Sequence, residues 1–331
     1  MRFLIRLFLL GLLLLLAAAG GIWWWSTQPF AQPDEGFEFR IPPGSGLNAT
    51  VRRIGEAGVP VHPQLFVLLA RINGAVGTIR AGSYQTEPGE TPSSLLDKLV
   101  QGRVAQIAVT LVEGRTFRQF RAQLDAQPAL LHDTRGLSEG EIARRLGLPW
   151  QRLEGRLMPD TYRVDKQSSD LELIGRAVDA MRRQVDAVWQ QRQPGLPYRT
   201  PDELLIMASI VEKETGQAAD RPLVAAVFVN RLRIGMRLQT DPTVIYGLGE
   251  NFDGNLRRSH LQTDHEFNTY TRAGLPPTPI AMPGLASLQA AAAPAASDAL
   301  YFVARGDGSS HFSRTLDEHN RAVDKFQRGK P

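Results

Sequence analysis

From Leu7 to Trp25 the chain runs without a charged side chain. At the rise of an α-helix that run is roughly 28 Å long, close to the apolar thickness of a bilayer, so it reads as one membrane helix. Arg2 and Arg6 precede it and, by the positive-inside rule, hold the short N-terminus in the cytoplasm; Trp23, Trp24 and Trp25 suit the far interface as an aromatic belt. The competing reading is a cleaved signal peptide with its small-residue cleavage site at Ala17 to Ala19. Continuation of the apolar run past those alanines into the tryptophans favours the anchor. On either reading the remaining chain is exported, and no second run of this length occurs.

With 331 residues there is room for a membrane segment and two further domains. The net charge of +4 and pI of about 9.6 are mildly basic. Lys and Arg are scattered among many acids and form no block, so nucleic-acid binding is not indicated. The chain has no cysteine, which excludes a disulfide framework, a cysteine-built zinc site and a cysteine nucleophile.

The pattern divides into a cytoplasmic N-terminus (1–6), the membrane helix (7–25), a Pro-containing tether (26–36), a small module (37–103) and a larger domain (104–331). In the module, Phe37, Phe39 and Ile41 alternate as a strand, helices follow over Leu47 to Ala57 and Pro63 to Asn73, a strand returns over Arg80 to Tyr84, and Thr91 to Gln101 forms a third helix. That layout resembles the LysM-type modules that hold amino-sugar polymers, and a generic α/β spacer accounts for it equally. In the larger domain, the β-branched run Val104 to Val112 predicts a strand, followed by a helix from Thr116, a helical connector over Leu131 to Trp150 broken at Gly136 and Gly147, and a turn or short strand over Leu153 to Tyr162. Towards the end come a proline-punctuated loop, Phe267 to Gly284, strands at Leu300 to Ala304 and His311 to Ser313, and a helix from Thr315 to Phe326. The expected fold class is therefore α+β.

The best-delimited helix is TPDELLIMASIVEKETG, Thr200 to Gly216. Thr200 can cap it, Pro201 suits its first turn, Glu203 completes a capping box, and Gly216 is a left-handed stop. Leu204, Met207, Ala208 and Val211 form an apolar stripe whose next position is Glu214. A carboxylate there is partly buried at the negative end of the helix dipole, and both effects raise its pKa towards that of a general acid. The plainer alternative is a glutamate that reaches solvent or pairs with an arginine.

No H-E-x-x-H, G-x-S-x-G or phosphate-binding glycine loop is present, and the six histidines lack metal-site spacing. A carboxylate with polar and aromatic loops remains, the material of carbohydrate chemistry. ASIVEKET (208–215), VFVNRL (227–232), MRLQTDPTVIYG (236–247), NTYTRAGLPPTPI (268–280), HFSRT (311–315) and EGRLMPDTY (154–162) together resemble the signature blocks of the YceG-like endolytic murein transglycosylases. In that family the acid is the second Glu of V-E-K-E, which falls on Glu214.

The resemblance implies a single-pass inner-membrane enzyme with a periplasmic domain. It would cut the β-1,4 bond between N-acetylmuramic acid and N-acetylglucosamine within peptidoglycan glycan strands, leave a 1,6-anhydro end and need no cofactor. Membrane-bound glycan polymerases, the penicillin-binding proteins, would be its neighbours. Gln239, Asp241 and Asn268 are candidates to stabilise the developing charge, with Tyr246 or Tyr270 as a sugar platform. Each has a plain alternative: Asp241 as a helix cap, Asn268 as a turn closer, Gln239 as a backbone partner, the tyrosines as core. Arg231 is assigned to packing or an ion pair near the active helix, and His311 either to the cleft or to solvent. A non-catalytic glycan-binding scaffold and a water-using hydrolase are the other functional readings.

Overall fold

The structure, a computed structural model, describes residues 1–329 and divides into two compact units, 1–108 with 163–168, and 109–162 with 169–331. In the first, α1 (Arg2–Thr27) is the one helix among the described residues long and apolar enough to cross a membrane. It runs two residues into the expected tether, where the Ser26 and Thr27 hydroxyls donate to the carbonyls of Trp23 and Trp24 and prolong the last turn.

After it come β1 (Glu38–Ile41), α2 (Leu47–Glu56), α3 (Pro63–Ile72), β2 (Gly82–Gln85) and α4 (Pro92–Gln101). Strands β1 and β2 are antiparallel, with Glu38 opposite Gln85 and Ile41 opposite Gly82. Alternation turns Phe39 and Ile41 inward, where Phe39 stacks on Tyr84 at 5.8 Å over Ile54, Phe66, Leu95 and Leu99. Helix α4 is fixed by a reciprocal Thr91–Ser94 capping box. Its Lys98 is buried, and lies 2.9 Å from the Glu90 carboxylate.

The chain passes between the units along β3 (Gln106–Thr110) and, after α5 (Phe117–Asp125) and α6 (Glu139–Arg145), along β4 (Thr161–Asp165), which pairs with β3. The connector forms α6 between the two expected breaks, Gly136 and Gly147, which are both left-handed at φ 79° and 68°. The 21-residue α7 (Asp170–Gln190), an element not among those expected, packs Leu173, Ile174, Ala177, Val178, Met181, Val185 and Val188 inward.

The second unit is built round α8 (Pro201–Glu214), which packs against α7, α9 (Arg221–Arg233) and α12 (Leu285–Ala292). Between these come α10 (Asp241–Leu248) and α11 (Arg258–Gln262); a β5 (Tyr301–Ala304) and β6 (Ser310–Ser313) hairpin and α13 (Leu316–Phe326) close the chain. Helix α8 departs from the one-stripe expectation, because every residue from Leu204 to Val211 is buried. Ser209 is tolerated among them since its hydroxyl donates to Ile206 O and accepts from the Ile280 amide. A helix apolar all round belongs in the middle of a domain.

Gly155 has a left-handed φ of 76°, and a Cβ there would collide with Pro279. Gly155→Ala is therefore expected to destabilise the second unit by about 1–3 kcal/mol, with a matching fall in thermal midpoint. An unchanged midpoint would show that the Pro279 loop yields freely.

Candidate active site

Helix α8 starts as expected and stops differently. The Thr200 hydroxyl accepts from the Glu203 amide at 3.2 Å, but the Glu203 carboxylate bonds the Arg199 amide at 2.5 Å, one residue upstream of a reciprocal box. At the C-terminus Thr215 turns extended at φ −146°, so no left-handed Gly216 is needed and Glu214 is the last helical residue. Glu212 is half-buried and accepts from the Gly284 amide and the Ser287 hydroxyl. It ties α8 to the first turn of α12, where a carboxylate complements the helix dipole.

Glu214 opens on a cleft of about 410 Å³ whose lining includes Arg231, Gln239, Asp241, Tyr270, Tyr301 and His319. Its carboxyl is pushed up to about 7, first by burial and then by the charge of Asp241; the Thr240 hydrogen bond and the Arg231 charge pull the other way. The segment opposite is held out by its backbone. Gln239 occupies a left-handed φ of 48°, with its amide on Thr269 O, and projects with Asp241 on either side of the buried Thr240. The Tyr270 hydroxyl donates to Asp241 Oδ1 at 2.6 Å.

The structure thus brings together Glu214, Gln239, Asp241 and Tyr270. Tyr246 and Asn268 are not among the residues of the cleft wall. Tyr246 donates to Glu154 Oε2 at 3.2 Å with its ring edge-on to Phe267. Asn268 is fully buried, donates to the carbonyls of His260, Leu261 and Thr263, and accepts from the Tyr270 amide at 2.9 Å, so it shapes the loop that presents Tyr270.

Among the described residues Arg231 has no ion-pair partner. It is buried, donates to Leu300 O and Leu238 O, and lies 5.3 Å over the Tyr301 ring. His311 is half-buried beside Phe326 and is not in the cleft wall. The cleft histidine is His319, stacked on Tyr301 at 5.3 Å, with its pKa lowered chiefly by burial. Phe228, Tyr301 and His319 were not singled out in sequence; Thr240 and Phe228 lay inside quoted blocks, whereas nothing local marks His319.

A second carboxyl, Glu154, is buried and pushed up to about 8, mainly by desolvation. It accepts from the Phe117 amide, at the start of α5, and from Tyr246. Folding also groups the potential ligand atoms of Asp125, His132 and Asp170, residues whose spacing gave no signal. Arg121 and Arg135 already ion-pair with Asp125, and Thr134 bonds Asp170.

Fold and cleft define a mixed α+β protein with a carboxylic acid poised near neutrality in a polar, aromatic-lined groove. Residues 39–325 match the model of the YceG-like family, and the chain belongs to that family. It is 32% identical over 310 residues to an endolytic murein transglycosylase of Bacillus subtilis (strain 168), covering 86% of this chain and 83% of that protein. It is 28% identical over 316 residues to one of Streptococcus pneumoniae serotype 2 (strain D39), of which it spans 57%. The crystal structure of a yceG-like protein from Listeria monocytogenes superposes with a TM-score of 0.54 at 30% identity, covering 87% of this chain and 99% of that one.

Proposed function

We propose that this chain is a membrane-anchored endolytic lytic transglycosylase of peptidoglycan, with Glu214 as its catalytic acid and base. The observation that carries the reading is the Glu214 carboxyl, raised to about 7 and open to a polar cleft, in a chain whose relatives bear that activity in their names. Protonated Glu214 donates to the glycosidic oxygen as the C1–O bond of N-acetylmuramic acid breaks. The resulting carboxylate takes the proton of the muramoyl 6-hydroxyl as that oxygen bonds to C1, giving a 1,6-anhydro end and regenerating the acid. Because the substrate supplies the nucleophile, one carboxyl suffices where ordinary glycosidases use two. Asp241 and Gln239 stand where they can stabilise developing positive charge, and Tyr270 offers a ring to a sugar face. Asn268 supports that ring through the loop, whereas Tyr246 bonds Glu154 outside the cleft wall.

On this reading α1 anchors the enzyme in the inner membrane, and the following domain works on the periplasmic side beside glycan polymerases. The strand and helices of residues 37–103 would serve as a LysM-like glycan-holding module. The test is mass spectrometry of products after full-length protein in detergent micelles has acted on peptidoglycan strands. Anhydro-muramoyl ends inside former long strands are expected. A reducing muramoyl end would make the protein a hydrolase, and strands bound but uncut would make it a scaffold.

A further inference from the structure

Thr240 stands at the N-cap position of α10, where a threonine hydroxyl ordinarily accepts from an amide of the first turn. Here it makes no cap bond. The side chain, 2% exposed, instead donates to Glu214 Oε1 at the end of α8.

Its backbone is held at both its amide and its carbonyl, by two residues that also contact each other. The Thr240 amide donates to Thr269 Oγ1 at 3.0 Å, the Thr243 hydroxyl donates to Thr240 O at 2.7 Å, and the Thr243 and Thr269 hydroxyls are 2.9 Å apart. The left-handed Gln239 immediately before it is bonded to Thr269 O. Thr243 is fully buried and Thr269 3% exposed, so this clasp has little freedom.

Among the described residues no other acceptor takes the Thr240 hydroxyl, and none donates a hydrogen bond to Glu214 Oε2. We propose that Thr240 is a positioning residue: it fixes the Glu214 carboxyl so that Oε1 always accepts, and the transferable proton resides on Oε2, open to the glycosidic oxygen. The same donation then stabilises the carboxylate left after transfer. This inference rests on the proposed role of Glu214.

The other groups around the carboxyl are Asp241 on α10, Arg231 on α9, Tyr270 on its loop, Tyr301 on β5 and His319 on α13. All are left intact in the test, which compares Thr240→Val and Thr240→Ser in the full chain in detergent micelles. The Glu214 titration is followed by carboxyl carbon-13 resonances, its signal identified by loss in Glu214→Gln, and anhydro-product release is measured against pH. Removing the donor should raise the Glu214 midpoint, move the alkaline limb of the rate profile upward, and lower kcat about 10- to 100-fold with KM within about threefold. Serine should keep the wild-type midpoint and a rate within about threefold of it. If valine lowers the thermal transition, Thr240→Ala carries the same expectation with no added bulk. A midpoint unmoved by loss of the hydroxyl, or a serine variant as impaired as valine, overturns the proposal. If wild type makes no anhydro product, the functional reading fails, while the titration alone still decides whether Thr240 governs the Glu214 proton.

Discussion

Glu214→Gln is expected to remove glycan cleavage, with a loss of about 10³-fold or more, while the fold stays intact. The change is nearly isosteric, and the amide oxygen can still accept from Thr240, so what disappears is the titrating proton. General acid–base catalysis by one group contributes about 10²- to 10⁴-fold, and here one group serves both half-steps. The pH profile follows from the same carboxyl. Its value of about 7 means that the acid form is lost as pH rises through neutrality, so the wild-type rate should decline above about pH 7. Product release by mass spectrometry between about pH 5 and pH 9, on folded wild type and variant, checks both. A glutamine variant that keeps a tenth of the rate would place the acid elsewhere, and Glu154 would be the next carboxyl to replace.

How much of this was legible beforehand depends on which interaction fixes each feature. Periodic and capped segments were readable: the membrane-length run of α1, the start of α8 at Thr200, the alternation of β1 and the final helix are local properties of the sequence. Glu214 was reachable for the same reason, as the next position on an apolar stripe. The stop of α8 was not, because Thr215 simply turns extended and Gly216 plays no part. Helix α7 was missed although its apolar spacing, the Ser169 cap and the Pro194-Gly195 pair beyond its end were all present.

Within the site, Gln239, Asp241 and Tyr270 share a cleft with Glu214 only because Thr269, on a separate segment, pins the backbone before α10. Asn268 and Tyr246 carry equally suggestive side chains, yet the fold uses one to satisfy three carbonyls and the other to reach a buried acid. Polar residue type marked the right loops. Only tertiary packing decides which member of a loop faces inward.

That buried acid carries the second large expected effect, on stability. Glu154 is 5% exposed and its carboxyl is raised from 4.5 to about 8 because desolvation outweighs the donations from the Phe117 amide and Tyr246. A group whose folded pKa lies above its unfolded value binds protons more tightly in the native state, so its contribution is fully present below about 4.5 and is lost as pH rises to about 8. Each tenfold change in proton affinity is ~1.4 kcal/mol, so the full loss is on the order of 5 kcal/mol. Glu214 adds a smaller loss of the same sign, complete by about 7. In Glu154→Gln the carbonyl can still accept from Phe117 and the amide can donate to the Tyr246 oxygen, but nothing titrates at that position. Relative to wild type, the variant should therefore gain stability steadily between about pH 5 and pH 9, by a few kcal/mol in all. Unfolding midpoints of the two full-length proteins across that range measure it directly. Parallel curves would mean that Glu154 is ionised in the folded protein at neutral pH, with its Phe117 and Tyr246 donors compensating for the lost water.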